Sequence, residues 1–218
     1  MHKFKAVIFD MDGLLIDSES LALETFRSTC EQFNLGDMTA LFKRLIGTNM
    51  ALSNSILQQQ LPDGVIASQF VQIWDSAYFK AVSRAPVALM PGVEKLLVQL
   101  QLQGMPMAVA TSSKTQRARD KLNNCGLLDY FSFIVGGDQV AQSKPQPDIY
   151  LKAAAKLAVS PVHCLAFEDS KNGVKAAFAA GMTVVQIPDL VAADDELLAL
   201  GHIILQRIDH VLEYNFAS

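Results

Sequence analysis

Short apolar runs recur along the chain, and most of them are followed by a stretch in which hydrophobic positions have helical spacing. These runs cover residues 6–9, 107–110, 133–135, 164–167, 183–185 and 202–205. Because their hydrophobicity is nearly continuous rather than alternating, they are typical of strands covered on both faces, as in a parallel sheet flanked by helices. The pattern therefore predicts six strands of an α/β protein.

The helical spacing is clearest in two segments between these runs. From Val93 to Leu100, hydrophobic residues recur at positions i, i+3, i+4 and i+7, directly after a Pro-Gly pair. A second helix is predicted from about Asn172 to Ala180, before Gly181, the residue expected in a left-handed helix C-cap. Strands that alternate with helices in this way predict a doubly wound, mostly parallel sheet with a Rossmann-like core.

One long segment interrupts the alternation. From about residue 17 to residue 88 the patterns are helical, without a convincing buried strand, and Pro62-Asp63-Gly64 marks a turn between helices. We therefore predict a core domain made of residues 1–16 and 89–218, with a helical cap at residues 17–88. Phe70, Trp74 and Phe79 are expected to pack inside this cap rather than to stack on a substrate.

Composition narrows the class of protein. Half of the 218 residues are hydrophobic, 18% are charged and the net charge is −4, which predicts a globular chain without a nucleic-acid partner. No apolar run approaches the length needed to span a bilayer, so no membrane partner is expected. The three cysteines form no CxxC pair, which is typical of a reducing compartment and predicts a cytoplasmic protein. Without a coiled-coil stripe, we expect a monomer.

Polar residues follow four of the predicted strands, at the sheet edge where open α/β folds bind their ligands. Taken singly, each has a simpler explanation, because Asp-x-Asp-Gly can form a turn, Thr-Ser-Ser and Glu-Asp-Ser can cap helices, and a lysine is usually solvated. The four together, in this order, favour one shared site. Its candidate residues are Asp10, Asp12, Thr111, Ser112, Lys144, Glu168 and Asp169.

The charges of these residues indicate which ligands they would bind. Four carboxylates in one cleft repel one another unless a cation neutralises them. Oxygen ligands without histidine or cysteine favour Mg²⁺ over Zn²⁺. Lys144 and the Thr111 hydroxyl could then hold a phosphate group. The sequence therefore predicts a magnesium site that binds a phosphate group.

The same residues resemble the four motifs of the haloacid dehalogenase-like hydrolase superfamily. The motifs are Asp10-Met11-Asp12-Gly13, Thr111, Lys144-Pro145 and Glu168-Asp169. Two stretches, FDMDGLLIDSE at residues 9–19 and FEDSKNGVKAAFAAG at residues 167–181, are similar to its sugar-phosphatase and β-phosphoglucomutase-like branch. The resemblance covers essentially the whole chain and includes a helical cap inserted after the first motif.

This resemblance implies a role for each residue. Asp10 would be the nucleophile that forms an aspartyl-phosphate, and Asp12 the general acid and base. Mg²⁺ would be bound by Asp10, Asp169 and the main-chain carbonyl of Asp12, with Glu168 contributing in the mutase-like branch. The transferring phosphoryl group would be held by the remaining three residues, namely Thr111, Ser112 through its N–H, and Lys144. The implied activity is a Mg²⁺-dependent phosphatase acting on a small metabolite, such as a sugar phosphate.

Three alternatives stay open. β-Phosphoglucomutases carry a cap-loop arginine and a histidine after the first motif, whereas the aligned positions here are Met50 and Ala22, which favours hydrolysis over mutase chemistry. Dehalogenases and phosphonatases lack the second aspartate, so Asp12 favours phosphate esters. A non-catalytic protein that binds phosphorylated metabolites would be expected to have lost Asp10 or Lys144, and both are present.

Overall fold

All six predicted strands form one sheet. The computed structural model describes residues 3–46, 48 and 50–214, and the side chain of Met50 lies outside the described part. The strands are β1 (Ala6–Phe9), β2 (Met107–Thr111), β3 (Phe133–Gly136), β4 (Cys164–Glu168), β5 (Thr183–Gln186) and β6 (Ile203–Ile204).

The sheet has the strand order β3-β2-β1-β4-β5-β6, and every pair of neighbours is parallel. β1 is central, and its last residue, Phe9, lies opposite Val109 of β2 and Phe167 of β4. In a doubly wound sheet with this order, the connections leave β1 in opposite directions and open a crevice at the carboxyl ends of the strands. The predicted fold class is confirmed.

Helices cover both faces of the sheet. They are α1 (Ser18–Gln32), α2 (Thr39–Leu45), α3 (Met50–Gln60), α4 (Ala67–Arg84), α5 (Val93–Leu102), α6 (Thr115–Asn124), α7 (Asp148–Lys156), α8 (Lys171–Ala179) and α9 (Asp195–Leu198). The two helices predicted from spacing are α5 and α8, and Gly181 has the expected positive φ of 79°. Among the described residues, no helix combines the length and apolar character needed to cross a bilayer.

The two core layers follow from the alternation of side chains along the strands. Val7 and Phe9 of β1 belong to the layer that includes the buried face of α5, and Ala6 and Ile8 belong to the layer that includes α7. Phe9 stacks on Phe167 with ring centroids 5.1 Å apart. Because both faces of β1 are fully buried, its carboxyl end is fixed on two sides.

A third hydrophobic cluster lies among the four helices α1 to α4. Phe26 is at its centre and contacts the rings of Phe70 and Trp74. The prediction for Phe79 is wrong, since its side chain is 67% exposed. Phe79 is nine positions after Phe70, and at 100° per residue this offset places the two side chains on opposite faces of α4.

The helical segment leaves and rejoins the core at one place. The N–H of Asp17 donates to the carbonyl of Ala88 (2.8 Å), and the N–H of Met90 donates to the carbonyl of Leu15 (3.1 Å). These two hydrogen bonds, which we call the hinge pair, join the stretch that enters the helical segment to the stretch that leaves it. The pair places α1 to α4 beside the carboxyl edge of the sheet, where the candidate site residues lie.

Candidate active site

A cavity of about 340 Å³ lies between the carboxyl edge of the sheet and the helical segment. Six of the seven predicted site residues line it, and the seventh, Glu168, is fully buried behind it. The six are Asp10, Asp12, Thr111, Ser112, Lys144 and Asp169. The structure therefore brings together residues that come from four separate strand ends.

The sheet register explains why these residues meet. Asp10 directly follows β1, and its N–H donates to the carbonyl of Phe167 (3.0 Å), so it is level with the end of β4. The chain then turns at Gly13, which has a φ of 78°. A Cβ atom there would lie 2.7 Å from Oδ2 of Asp169, so the turn needs glycine for its space as well as for its conformation.

Lys144 joins two of the predicted carboxylates. Its Nζ atom donates to Oδ1 of Asp10 and to Oε1 of Glu168, each at 2.5 Å, and the residue is buried. Burial acts to lower the pKa of Lys144, but the charges of Asp10 and Glu168 outweigh it and raise the pKa above its ordinary value. Lys144 therefore stays a cation beside Asp10.

Glu168 is fixed by donors on both of its oxygens. Besides Lys144, Oε1 accepts from the hydroxyl of Tyr150 (2.6 Å). Oε2 accepts from the N–H groups of Asp169 and Ser170 and from the Ser170 hydroxyl, at 3.1–3.3 Å. A Cβ on Gly173 would lie 1.8 Å from Oε1, so glycine there leaves room for this carboxylate. With five hydrogen bonds, Glu168 is an anchor for Lys144.

Three carboxylates lie close enough together to share a cation. Oxygen atoms of Asp10, Glu168 and Asp169 are all within 4.8 Å of one another, and all three residues are buried. Burial raises the pKa of Asp10 to about 7, with Lys144 opposing the shift and Glu168 adding to it. Burial, followed by the charges of Glu168 and Asp10, likewise raises the pKa of Asp169 well above its ordinary value. Lys144 alone therefore provides too little positive charge to neutralise these three carboxylates.

The side chain of Asp12 is held by a different set of donors. Its Oδ1 accepts from the Ser18 hydroxyl and from Nζ of Lys121, both at 2.7 Å, and its Oδ2 accepts from the Ser113 hydroxyl at 2.8 Å. Burial acts to raise the pKa of Asp12, but the charge of Lys121 and these hydrogen bonds lower it overall. Its side chain is not among the three carboxylates that could share a cation.

The Thr-Ser-Ser segment is part of the cavity wall and not a helix cap. The Thr111 hydroxyl accepts from the N–H of Ser113 (3.1 Å), and Ser112 is exposed to the cavity. The N-cap position of α6 is Lys114, which makes no capping hydrogen bond through its side chain. By contrast, Ser170 does cap α8, as its sequence position allowed, because its hydroxyl accepts from the N–H of Gly173.

The helical segment forms the other wall. Trp74 lines the cavity with its ring fixed, since its indole N–H donates to the carbonyl of Ala22 (3.1 Å). Ala22, one of the two positions that distinguish mutases, also lines the cavity, whereas the side chain of Met50 lies outside the described part. Glu19 has its pKa raised to about 8, chiefly by burial and then by the charge of Asp12. This wall therefore presents both polar and apolar side chains to the cavity.

Sequence reasoning missed the residues that support the strand-end motifs. They are Ser18, Tyr78, Ser113, Lys121 and Tyr150. Ser113 lies within the Thr-Ser-Ser segment and could have been included with it. The other four are on helices, where the direction of a side chain depends on how the helix packs.

Comparison with known proteins identifies the family. Residues 7–187 match the family model of haloacid dehalogenase-like hydrolases. A phosphorylated carbohydrates phosphatase of Thermotoga maritima is 32% identical over 209 residues, which are 95% of this chain and 96% of that protein. The beta-phosphoglucomutase of Bacillus subtilis is 31% identical over 215 residues, which are 96% of this chain and 92% of that protein.

A solved structure extends the similarity to the fold. CbbY from Rhodobacter sphaeroides, in complex with xylulose-(1,5)bisphosphate, has a TM-score of 0.77 and 26% identity, with coverage of 94% of this chain and 95% of that chain. The α/β fold and its acidic strand-end site thus define a hydrolase of known architecture. The chain belongs to the haloacid dehalogenase-like hydrolases, and the predicted family is confirmed.

Proposed function

We propose that this protein is a Mg²⁺-dependent phosphatase that cleaves a small phosphorylated metabolite through an aspartyl-phosphate on Asp10. The observation that supports this most directly is the position of Asp10. Its carboxylate lies at the end of the central strand, in a cavity, beside a buried lysine cation and two further carboxylates. A carboxylate so placed can attack phosphorus while the lysine offsets the charge of the phosphoryl oxygens.

The residues present fit a magnesium ion. Asp10 and Asp169 offer hard oxygen ligands, and Glu168 lies close enough to join them. The site has four carboxylates, including Asp12, and two lysines, the buried Lys144 and the largely buried Lys121. Two negative charges are left over, which one divalent cation would neutralise.

Asp10 and Asp169, with the main-chain carbonyl of Asp12, would bind the ion. Bound Mg²⁺ would supply charge neutralisation for the phosphoryl oxygens. Because Glu168 already accepts five hydrogen bonds, its first contribution is to hold Lys144 beside Asp10.

The reaction has two halves that use the same two aspartates. An Asp10 oxygen attacks phosphorus, the ester P–O bond breaks, and the leaving oxygen takes a proton from the Asp12 carboxyl. Water then attacks the phosphorus and gives its proton to Asp12, and the bond to Asp10 breaks to release phosphate. Thr111, the N–H of Ser112 and Lys144 would hold the phosphoryl group in both halves.

The donors around Asp12 favour its ionised form, which suits the second half of the reaction. The first half needs a proton on that carboxyl. We therefore expect the bound substrate to displace the half-buried Ser113 hydroxyl, while Lys121 stays paired with Asp12.

The substrate is proposed to be a sugar phosphate. The relatives include a phosphorylated carbohydrates phosphatase, and a solved relative binds a pentulose bisphosphate. A cavity of about 340 Å³ has room for a phosphate and a sugar of that size, and Asn54 and Asp75 offer polar contacts from the helical wall. Ala22 in the position of the mutase histidine favours hydrolysis over phosphate return to the sugar.

The helical segment, residues 17–88, is proposed to act as a cap that covers the substrate and excludes water. Its residues line one wall of the cavity, and the hinge pair is the place where the chain enters and leaves it. A cytoplasmic location and a monomeric state stay predictions from the sequence.

The proposed function is tested by phosphate release from a panel of sugar phosphates, with Mg²⁺ or with a chelator. We expect release only with Mg²⁺, and we expect Asp10→Asn to lower it by more than about 10³-fold because no nucleophile remains. The matched control is Asp120→Asn on the exposed face of α6, which should keep normal activity. Acid-quenched wild type should carry phosphate on the peptide that contains residue 10.

Two outcomes would contradict the proposal. One is release that does not depend on Mg²⁺. The other is near-normal turnover by Asp10→Asn, provided that this variant unfolds at the same temperature as the wild type.

A further inference from the structure

A second lysine, largely buried, lies in the cavity, and no step of the proposed reaction uses it. Lys121 is on α6, outside the four strand-end motifs, and its side chain is only 11% exposed. Its Nζ atom forms a 2.7 Å ion pair with Oδ1 of Asp12. Among the described residues, no other carboxylate is within ion-pair distance of Lys121. A lysine buried in this way needs a reason, because burying a charge is costly unless it is paired.

Lys121 also contacts the helical segment. Its Nζ atom lies over the ring of Tyr78 of α4, 5.1 Å from the ring centroid, which is the geometry of a cation–π contact. Lys121 thus links a residue of the core, Asp12, to a residue of the opposite wall.

The Asp12 carboxylate depends on three side chains for its orientation. Ser18 and Lys121 bond one oxygen and Ser113 bonds the other, and the three come from different parts of the chain. Lys121 is the one cation among them. The ammonium group and the carboxylate attract each other as opposite charges, whereas the two hydroxyls are neutral donors, so Lys121 contributes most to fixing this carboxylate.

From these contacts we infer that Lys121 is a positioning residue for Asp12, and that Tyr78 in turn fixes Lys121 from the helical wall. The inference rests on the proposed function, because it assigns the pair a part in the acid–base step. Lys121 holds the Asp12 carboxylate at the angle from which it meets the leaving oxygen. Tyr78 restricts the lysine to that one arrangement.

A different role for Lys121 has different consequences. If its charge bound the substrate phosphate directly, losing it would raise KM for every phosphate ester alike. If it positions Asp12, losing it lowers the rate of the step that needs a proton, and the loss grows as the leaving group becomes poorer. Phenyl phosphate and 4-nitrophenyl phosphate separate these roles, because they have nearly the same shape but 4-nitrophenolate leaves with less help from an acid.

The experiment measures kcat/KM, which reports the first half of the reaction, for both aryl phosphates with Lys121→Met and Lys121→Arg. For Lys121→Met we expect a loss on the order of 10- to 100-fold with phenyl phosphate, part of the 10²–10⁴ that acid–base catalysis supplies. With 4-nitrophenyl phosphate the loss should be only a few fold. Lys121→Arg, which keeps the charge, should recover most of the activity. The matched control is Lys80→Met, an exposed lysine on α4.

A second measurement separates positioning from a general effect on folding. In an Asp12→Ala background, Lys121→Met should cause almost no further loss, because the group that it positions is gone. Tyr78→Leu should lower kcat/KM for phenyl phosphate by roughly two- to fivefold, since it removes the ring that faces the lysine. Thermal unfolding of each variant shows that the compared proteins are folded.

Several results would overturn the inference while leaving the proposed phosphatase intact. They are equal losses with both substrates, a loss confined to KM, or a full additional loss in the Asp12→Ala background. Failure of the phosphatase proposal itself would instead appear as an inactive wild type, or as an active Asp10→Asn variant, before any Lys121 variant is tested.

Discussion

The two lysines of the cavity divide the site into halves that are built differently. Lys144 is held by Asp10 and Glu168, and Glu168 by Tyr150, all residues of the core. We call this the anchored half. Its ion-paired side chains, those of Lys144, Asp10 and Glu168, are at most 9% exposed. The Asp12 half takes a donor from α1 of the helical segment as well as donors from the core, namely Ser113 and Lys121, and its carboxylate is 22% exposed.

The difference shows how one site can combine fixed and adjustable chemistry. In the anchored half, Glu168 is fully buried behind the cavity, so water cannot replace a hydrogen bond that it loses, and its geometry is determined by the fold of the sheet. In the Asp12 half, a substrate or water can take the place of a protein donor. The proposed nucleophile, Asp10, therefore belongs to the rigid half, and the proposed acid–base group, Asp12, belongs to the half that contacts both walls.

The largest effect that tests this contrast is expected for Glu168→Gln. An amide cannot accept from all five donors, and it leaves Lys144 with one fewer counter-charge. Breaking a buried ion pair in this way costs about 3–5 kcal/mol of stability, and we expect a parallel loss of activity as Lys144 moves from Asp10. Chemical denaturation and phosphate release measure the two losses.

The control for this variant is Glu196→Gln, which removes one carboxylate of the ion pairs with Lys171 and Lys175 on the surface. Its unfolding midpoint and activity should match those of the wild type. If Glu168→Gln were equally harmless, the anchored half would not be rigid in the sense argued above.

A smaller effect is expected on thermal stability when pH and Mg²⁺ are varied together. Burial raises the pKa of Asp10 from its ordinary 3.8 to about 7, so the folded chain binds this proton more tightly than the unfolded chain does. Its contribution to the stability of the metal-free protein is therefore present below about pH 4 and is lost as pH rises through about 7. Mg²⁺ competes with the same proton, so it should raise Tm more at about pH 8 than at about pH 5.

Differential scanning fluorimetry with Mg²⁺ or a chelator at both pH values measures this difference. Asp10→Asn has no carboxyl proton at this position for Mg²⁺ to displace. In this variant, the rise in Tm caused by Mg²⁺ should therefore depend less on pH. An equal rise in Tm at both pH values of the wild type would show that Asp10 does not bind the ion.

The smallest effects compare one lost hydroxyl in each half. Tyr150→Phe removes a donor from the fully buried Glu168, so it should cost about 1–3 kcal/mol of stability. Ser18→Ala removes a donor from Asp12, whose carboxylate is partly exposed to the cavity so that water can replace the donor, and stability should change by less than about 1 kcal/mol. Denaturant unfolding of the two variants measures both costs, and equal costs would remove the distinction between the halves.

The sequence predicted the fold well because the signals were local and strong. Each buried strand is a short apolar run, and in a parallel sheet the residues after such runs meet at one edge, which led directly to Asp10, Thr111 and Glu168. Lys144 follows its strand after a loop, yet the family motif located it.

Other residues of the site could not be predicted in the same way. Lys121 and Tyr150 contact the site from the sides of helices, so their roles depend on how α6 and α7 are rotated against the sheet. Phe79 shows the same limit, because the hydrophobic character of a helical residue does not say which face it occupies. Which face of α4 is buried is decided by packing, and it is the face that carries Phe70 and contacts Phe26.

The hinge pair has a consequence for how the chain folds. β1 and β2 are neighbours in the sheet although some 97 residues separate Phe9 from Met107. The entropy lost on closing such a loop grows only with the logarithm of its length, by about 0.6 kcal/mol for each doubling. Once Asp17 bonds Ala88, the intervening helices no longer lengthen that loop. A longer or shorter insertion at this junction would therefore slow assembly of the sheet very little, so the same core can accommodate different lids.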